Sequence, residues 1–206
     1  ETHVEESWKM LSGNLTRSEY FDTRIDYNAA RSTLRIDQAR SYMADGTLVD
    51  AKDNSFVPNT AGALQWAVPY ANLRQMTVAH VGVEHNATSV LSYTVTDSAP
   101  SGVPLWGVMD LQTVVPILDQ WITIQVPEGT DLKLAGVHCD VTAEQSAKDG
   151  LTSYEIHRTD VPAINTSEIP DHHTGIARLA YSTAADWAGV LAYLEPRVEA
   201  ALVPDK

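Results

Sequence analysis

Apolar residues alternate with polar ones over most of this chain, and a period of two confines it to β-structure. Phe21, Thr23, Ile25 and Tyr27 open the pattern, and Leu34 and Ile36 continue it. Met76 and Val78 alternate, as do Leu91, Tyr93 and Val95. Ile122, Ile124 and Val126 give the cleanest run, which stops at Pro127-Glu128-Gly129 and resumes with Leu132 and Leu134. Tyr154 and Ile156, then Leu179 and Tyr181, supply late strands. Between Tyr42-Met43 and Leu48-Val49 stands Asp45-Gly46, a pair whose two residues both tolerate positive φ and so suit a hairpin turn. Such half-buried strands predict an all-β fold, a large antiparallel two-sheet sandwich.

Three stretches interrupt the alternation. Residues 53–69 are rich in Asn, Pro and Gly and read as a long loop, bare or with a short helix; residues 97–104 (DSAPSGVP) read as a second loop. Residues 140–150 are a polar excursion with room for one helical turn. From Ser182 the pattern changes in kind. Thr183 can cap a helix, with Asp186 in the capping-box position. Trp187, Val190, Leu191 and Leu194 recur at helical spacing, and Val198 and Leu202 extend the stripe past Pro196, where the helix is expected to kink or restart. A C-terminal amphipathic helix therefore ends the chain, packed back on the sheet or belonging to another domain.

The 206 residues suffice for one large domain or two small ones. With 14 Lys+Arg against 27 Asp+Glu the net charge is −13, which argues against nucleic acid as a partner, because that recognition neutralises phosphates with cations. No apolar run is long enough for a membrane-spanning helix. The single cysteine, Cys139, rules out an internal disulfide. The chain opens Glu1-Thr2-His3, without Met or a signal-peptide pattern, as a processed or trimmed product does. Sequons stand at Asn14, Asn86 and Asn165.

Several blocks in order resemble one family. They are Ala39-Arg40-Ser41-Tyr42-Met43-Ala44-Asp45-Gly46-Thr47-Leu48-Val49, Pro69-Tyr70-Ala71-Asn72-Leu73-Arg74-Gln75-Met76, His80-Val81-Gly82-Val83-Glu84 and Val90-Leu91-Ser92-Tyr93-Thr94. Pro116 and Ile122-Thr123-Ile124-Gln125-Val126-Pro127-Glu128-Gly129 follow, and Ser182-Thr183 through Trp187 resembles the start of a transglutaminase-like core. Over roughly residues 20–195 the chain is similar to the bacterial domain of unknown function that precedes transglutaminase-like domains in exported proteins, the transglutaminase N-terminal accessory domain. His85-Asn86 replaces the family's glycine turn, and Asn tolerates the left-handed region. The resemblance implies that the chemistry lies in a downstream papain-like core with a Cys-His-Asp set, which would be the partner of this domain in the same chain. Cys139 precedes the Ser182–Trp187 block and so does not match the nucleophile's position.

Local constellations compete with that reading. In Val137-His138-Cys139-Asp140-Val141, read as a strand, His138 and Asp140 face one side and Cys139 the other, so the three do not converge and Cys139 is a structural thiol. Asp171-His172-His173 lies between Pro170 and Gly175 and reads as a loop of surface histidines, since adjacent His residues rarely reach one ion. No metal or other cofactor is expected. Trp8, Trp66, Trp106 and Trp121 lie in or beside β segments; Trp66 and Trp106, in Pro-flanked loops, are the candidate binding residues, able to stack on a sugar or line a peptide groove. Carboxylate pairs such as Glu5-Glu6 serve acid–base chemistry only if folded into a cleft.

The resulting expectation is a β-sandwich accessory domain over 1–181 and a linker and helix over 182–206 that lead into an absent transglutaminase-like core. The chain itself would be non-catalytic, in an exported bacterial protein, docking the core or binding its substrate. The alternatives are a free-standing glycan- or peptide-binding module, and a small hydrolase using Cys139 or a carboxylate pair.

Overall fold

The computed structural model describes residues 1–11, 22–60, 66, 72–98, 104–164 and 175–202; Phe21 and the stretch Pro69-Tyr70-Ala71 lie outside them. The chain divides into two compact units, Glu1–Pro100 and Ser101–Lys206, and the boundary falls inside the Pro- and Ser-rich 97–104 stretch. Each unit is a two-sheet antiparallel sandwich with its own core, so the all-β class read from the sequence holds, while the single large sandwich expected over 1–181 is two smaller ones.

In the first unit, β1 (Thr2–Lys9), β7 (Thr88–Asp97), β3 (Ser32–Tyr42) and β4 (Leu48–Asp50) form one sheet in that order. β2 (Asp22–Asn28), β6 (Leu73–Ala79) and β5 (Phe56–Thr60) form the other. Their inner faces meet at Ile25, Val78 and Leu91, with Leu34, Ile36, Phe56, Met76 and Tyr93 around them. Full burial of one such aliphatic side chain is worth about 1.5–3 kcal/mol. The β3–β4 hairpin turns at Asp45-Gly46, but only Gly46 takes positive φ (+87°); Asp45 instead accepts a hydrogen bond at Oδ1 from the Thr47 amide, 2.8 Å. Asn86 does adopt the left-handed region, at φ +66°.

In the second unit, β11 (Glu144–Lys148), β12 (Leu151–Val161) and β9 (Ile117–Pro127) form one sheet. β10 (Lys133–Val137), β13 (Arg178–Ser182) and β8 (Trp106–Asp110) form the other. Leu111, Ile122, Ile156, Ala177 and Leu179 are the core between them. α1 (Trp187–Leu202) closes the described chain.

Several elements differ from the sequence expectation, each for a physical reason. Residues 53–60 are not a loop: a 3-10 turn at Asp53–Ser55 leads into β5, whose place at the sheet edge lets Pro58 lack an amide hydrogen. The 140–150 excursion holds a strand, β11, rather than a helical turn. It pairs with β12 through Asp149-Gly150, both at positive φ (+54° and +78°), the condition of a type I′ hairpin. Trp106 begins a strand, not a loop. Asp186, not Thr183, caps α1: its Oδ1 accepts the Gly189 amide hydrogen at 2.9 Å, while Thr183 Oγ1 accepts from the Leu105 amide at 2.9 Å. α1 runs through Pro196 as one helix, and its stripe is exposed at Trp187, Leu191, Leu194, Val198 and Leu202.

Candidate functional site

The two candidate tryptophans lie in different units. Trp66 is 85% exposed, a turn residue in the first unit. Trp106 is 69% exposed at the start of β8, an edge strand of the second unit. Its register partner on β13 is Ser182. Val108, two residues on, is exposed on the same face. The residue between them, Gly107, leaves room for Tyr181, whose ring a β-carbon at 107 would strike.

A better-defined aromatic site lies on the outer face of the β9–β12 pair. Register places Trp121 opposite His157, and their rings stack with centroids 3.8 Å apart and planes 11° from parallel. Asp119, one pleat along β9, fixes both rings. Its Oδ1 lies 2.6 Å from His157 Nε2, and its Oδ2 accepts the Trp121 indole N–H at 3.2 Å. A carboxylate only accepts, so His157 Nε2 carries the hydrogen in this arrangement. Trp121 remains 62% exposed, so the indole face away from His157 is open. The result is an aromatic ledge held by two strands and one carboxylate, a preorganised surface for a flat or cationic group.

The first unit holds a different cluster, half-buried where β1 meets β2. Thr23 Oγ1 donates to Glu6 Oε1 at 3.2 Å and lies 2.9 Å from His80 Nε2. A hydroxyl has one hydrogen, so with Thr23 donating to Glu6 the His80 ring donates from Nε2. Burial pushes the Glu6 carboxyl up against the opposing hydrogen bonds from Thr23 and Trp8, and burial pushes His80 down against the field of Asp22. Tyr93 is pushed up by burial and by Glu6. A carboxyl raised in the folded state stabilises the fold below its ordinary value of 4.5, and that contribution is lost as the pH rises through the folded value. Glu6→Gln keeps an acceptor for Thr23 and removes the buried charge. Its thermal midpoint is therefore expected above wild type at pH 7 and equal to it at pH 4; an equal offset at both values would show that the charge is not the cause.

A third polar group is on the outer face of the first sheet. Asp37 accepts from Thr94 Oγ1 at 2.7 Å and from Arg35 Nε at 2.5 Å, and these two partners, Thr94 first, hold its carboxyl below the usual range. Its acceptors are thus occupied by structural donors.

Cys139 follows a bend rather than lying in a strand. β10 ends at Val137, and His138 turns the chain at φ +58°. His138 and Asp140 are exposed, while Cys139 is half-buried against the core of its unit and its thiol donates to the Arg178 carbonyl at 3.7 Å. Asp171-His172-His173, Asn14 and Asn165 fall outside the described residues. Among the described residues, no three His, Cys, Asp or Glu side chains converge as a metal set. No helix among them is long and apolar enough to cross a membrane.

The chain is similar over its fold to a crystal structure described as "a putative protease from Parabacteroides distasonis ATCC 8503", with 27% sequence identity and a TM-score of 0.88. The similarity covers 96% of this chain and 39% of that one, so the chain spans about two-fifths of the length of the solved protein. No curated protein matches the chain in sequence. Residues 14–165 match the model of the family described as Domain of Unknown Function with solved-structure structure (DUF3857), which is more than half of the chain. The chain belongs to the DUF3857 family.

Proposed function

We propose that this chain is a non-catalytic N-terminal accessory region of an exported bacterial transglutaminase-like, peptidase-related protein. It docks the papain-like core or presents that core's protein substrate. One observation carries this reading: nearly the whole chain corresponds to 39% of a longer protein described as a protease. The ordered blocks from Ala39 to Trp187 support the transglutaminase-like assignment. The position of Cys139 agrees with a catalytic cysteine elsewhere. A nucleophilic thiol needs a base or a helix N-terminus to form thiolate, whereas this one donates to a backbone carbonyl beside exposed His138 and Asp140.

The test uses the full reading frame. Expressed whole, the protein should carry a Cys, a His and an Asp at papain-like spacing beyond this chain, and a thiol-directed inactivator should label that cysteine while leaving Cys139 unmodified. Loss of activity that tracks modification of Cys139, or a reading frame without such a core, would overturn the proposal. The exposure of Trp66 and Trp106 favours a second reading, a free-standing glycan- or peptide-binding module, in which β8 would accept an extended peptide at its edge. Trp106→Ala abolishing binding from a peptide or glycan panel, with the fold intact, would select it.

A further inference from the structure

We propose that the outer face of the β9–β12–β11 sheet is a docking site for an arginine side chain of a polypeptide partner, with its guanidinium stacked on the open face of Trp121 and paired with Glu155. The site stands on this chain's own residues and holds whether or not a catalytic core follows.

The ledge is rigid. Trp121 is 62% exposed, yet its ring is not free to turn, because His157 covers one face and Asp119 holds the indole nitrogen. A ring fixed before binding loses little conformational entropy when a ligand stacks on it. The charge beside the ring suits a cation. On this face the register sets Glu155 opposite Thr123, next to the Trp121–His157 pair, and sets Glu144 opposite Glu155. Like charges directly opposite on neighbouring strands destabilise a sheet. Neither Glu144 nor Glu155 belongs to an ion pair among the described residues, and Lys148 stands four residues along β11 from Glu144. A bound cation relieves that repulsion, and the net charge of −13 attracts one from a distance. The spacing suits a planar cation. Diagonal neighbours on one sheet face lie about 7–8 Å apart, the span of a guanidinium that lies flat on an indole and reaches a carboxylate with its edge. A lysine ammonium lacks that planar fork.

The experiment follows the Trp121 indole N–H resonance, assigned with Trp121→Phe, while the protein is titrated with the peptide acetyl-Gly-Arg-Gly-amide. A saturable shift is expected. The citrulline counterpart, equal in shape and uncharged, should bind roughly three- to tenfold more weakly. Glu155→Gln, an exposed and near-isosteric change that also removes the repulsion from Glu144, should weaken the arginine peptide roughly two- to fivefold without lowering the thermal midpoint. Equal binding of the citrulline peptide, or no effect of Glu155→Gln, overturns the proposal. A stronger response to methyl glycosides than to the arginine peptide also overturns it, in favour of a sugar platform. Absence of any Trp121 response to the arginine peptide overturns it outright.

Discussion

Leu179→Ala is expected to lower the unfolding free energy of the second unit by about 2–5 kcal/mol. Leu179 has no exposed surface, and it sits on β13, the central strand of its sheet, against Leu111, Ile122, Ile156 and Ala177. Removing three carbons there loses their transfer energy and leaves a space that the facing sheet fills only in part. Urea unfolding followed by tryptophan fluorescence measures the loss, since Trp106, Trp121 and Trp187 all belong to this unit. Val108→Ala is the control on the neighbouring strand β8: Val108 is 63% exposed, and its truncation should stay within about 0.5 kcal/mol. If the two variants lose equal stability, the burial at Leu179 is not what the sandwich rests on.

Gly136→Ala is the second large effect, and it acts by overfilling. A β-carbon at 136 would run into the Cys139 carbonyl oxygen and stand 3.1 Å from Val141 Cγ2. The nearest atom is backbone, so no rotamer change relieves the contact. The bend at His138, already at φ +58°, has to move, and with it the half-buried Cys139. The expected cost is about 1–3 kcal/mol. A second readout separates this mechanism from a general loss of strand propensity. Displacing the bend exposes the thiol, so Cys139 should react faster with a disulfide reagent under native conditions than it does in wild type. Unchanged thiol reactivity with a normal midpoint would show that the turn tolerates a side chain at 136. Gly150→Ala offers the contrast. Nothing lies within 4 Å of its β-carbon, so only the φ of +78° opposes the change, and the cost should be about 1 kcal/mol.

The strands that were legible in the sequence share one property: their apolar residues face a core. β2, β6, β7, β9 and β12 all show it, with Ile25, Val78, Leu91, Ile122 and Ile156 buried. The strands that were not legible break the pattern for identifiable reasons. In β1 the inward positions are Val4, Glu6 and Trp8, so a carboxylate interrupts the apolar run. In β8 the large apolar residues Trp106 and Val108 point outward. β11 is exposed along its whole length and exists because β12 pairs with it. The Asp149-Gly150 turn that makes this pairing lies in a polar stretch without apolar alternation, which the sequence pattern leaves as an excursion with room for a helical turn. β5 was masked by Pro58, which an edge strand tolerates.

The candidate sites divide the same way. Trp66 and Trp106 stand out in the sequence as tryptophans of Pro-flanked loops, and both are exposed, although Trp106 begins strand β8. Trp121 was visible as a tryptophan beside a strand, but nothing local marked it as half of a pair. His157 and Asp119 are 38 residues apart in sequence, and Glu6 and Thr23 are 17 apart.

By itself the sequence determined that the chain is built of antiparallel strands with a terminal amphipathic helix, that Cys139 has no disulfide partner within the chain, and that residues 97–104 interrupt the strands. These follow from local chemistry: the pleat turns successive side chains to opposite faces, and Pro and Gly restrict or release single backbone angles. The tertiary structure decided that the interruption at 97–104 parts two units. It also decided which strands are neighbours, and so which side chains meet. Two sheets in each unit, the Trp121–His157–Asp119 ledge and the Glu6–Thr23–His80 bridge all depend on pairing register, and register is set by long-range burial that no short window of residues contains.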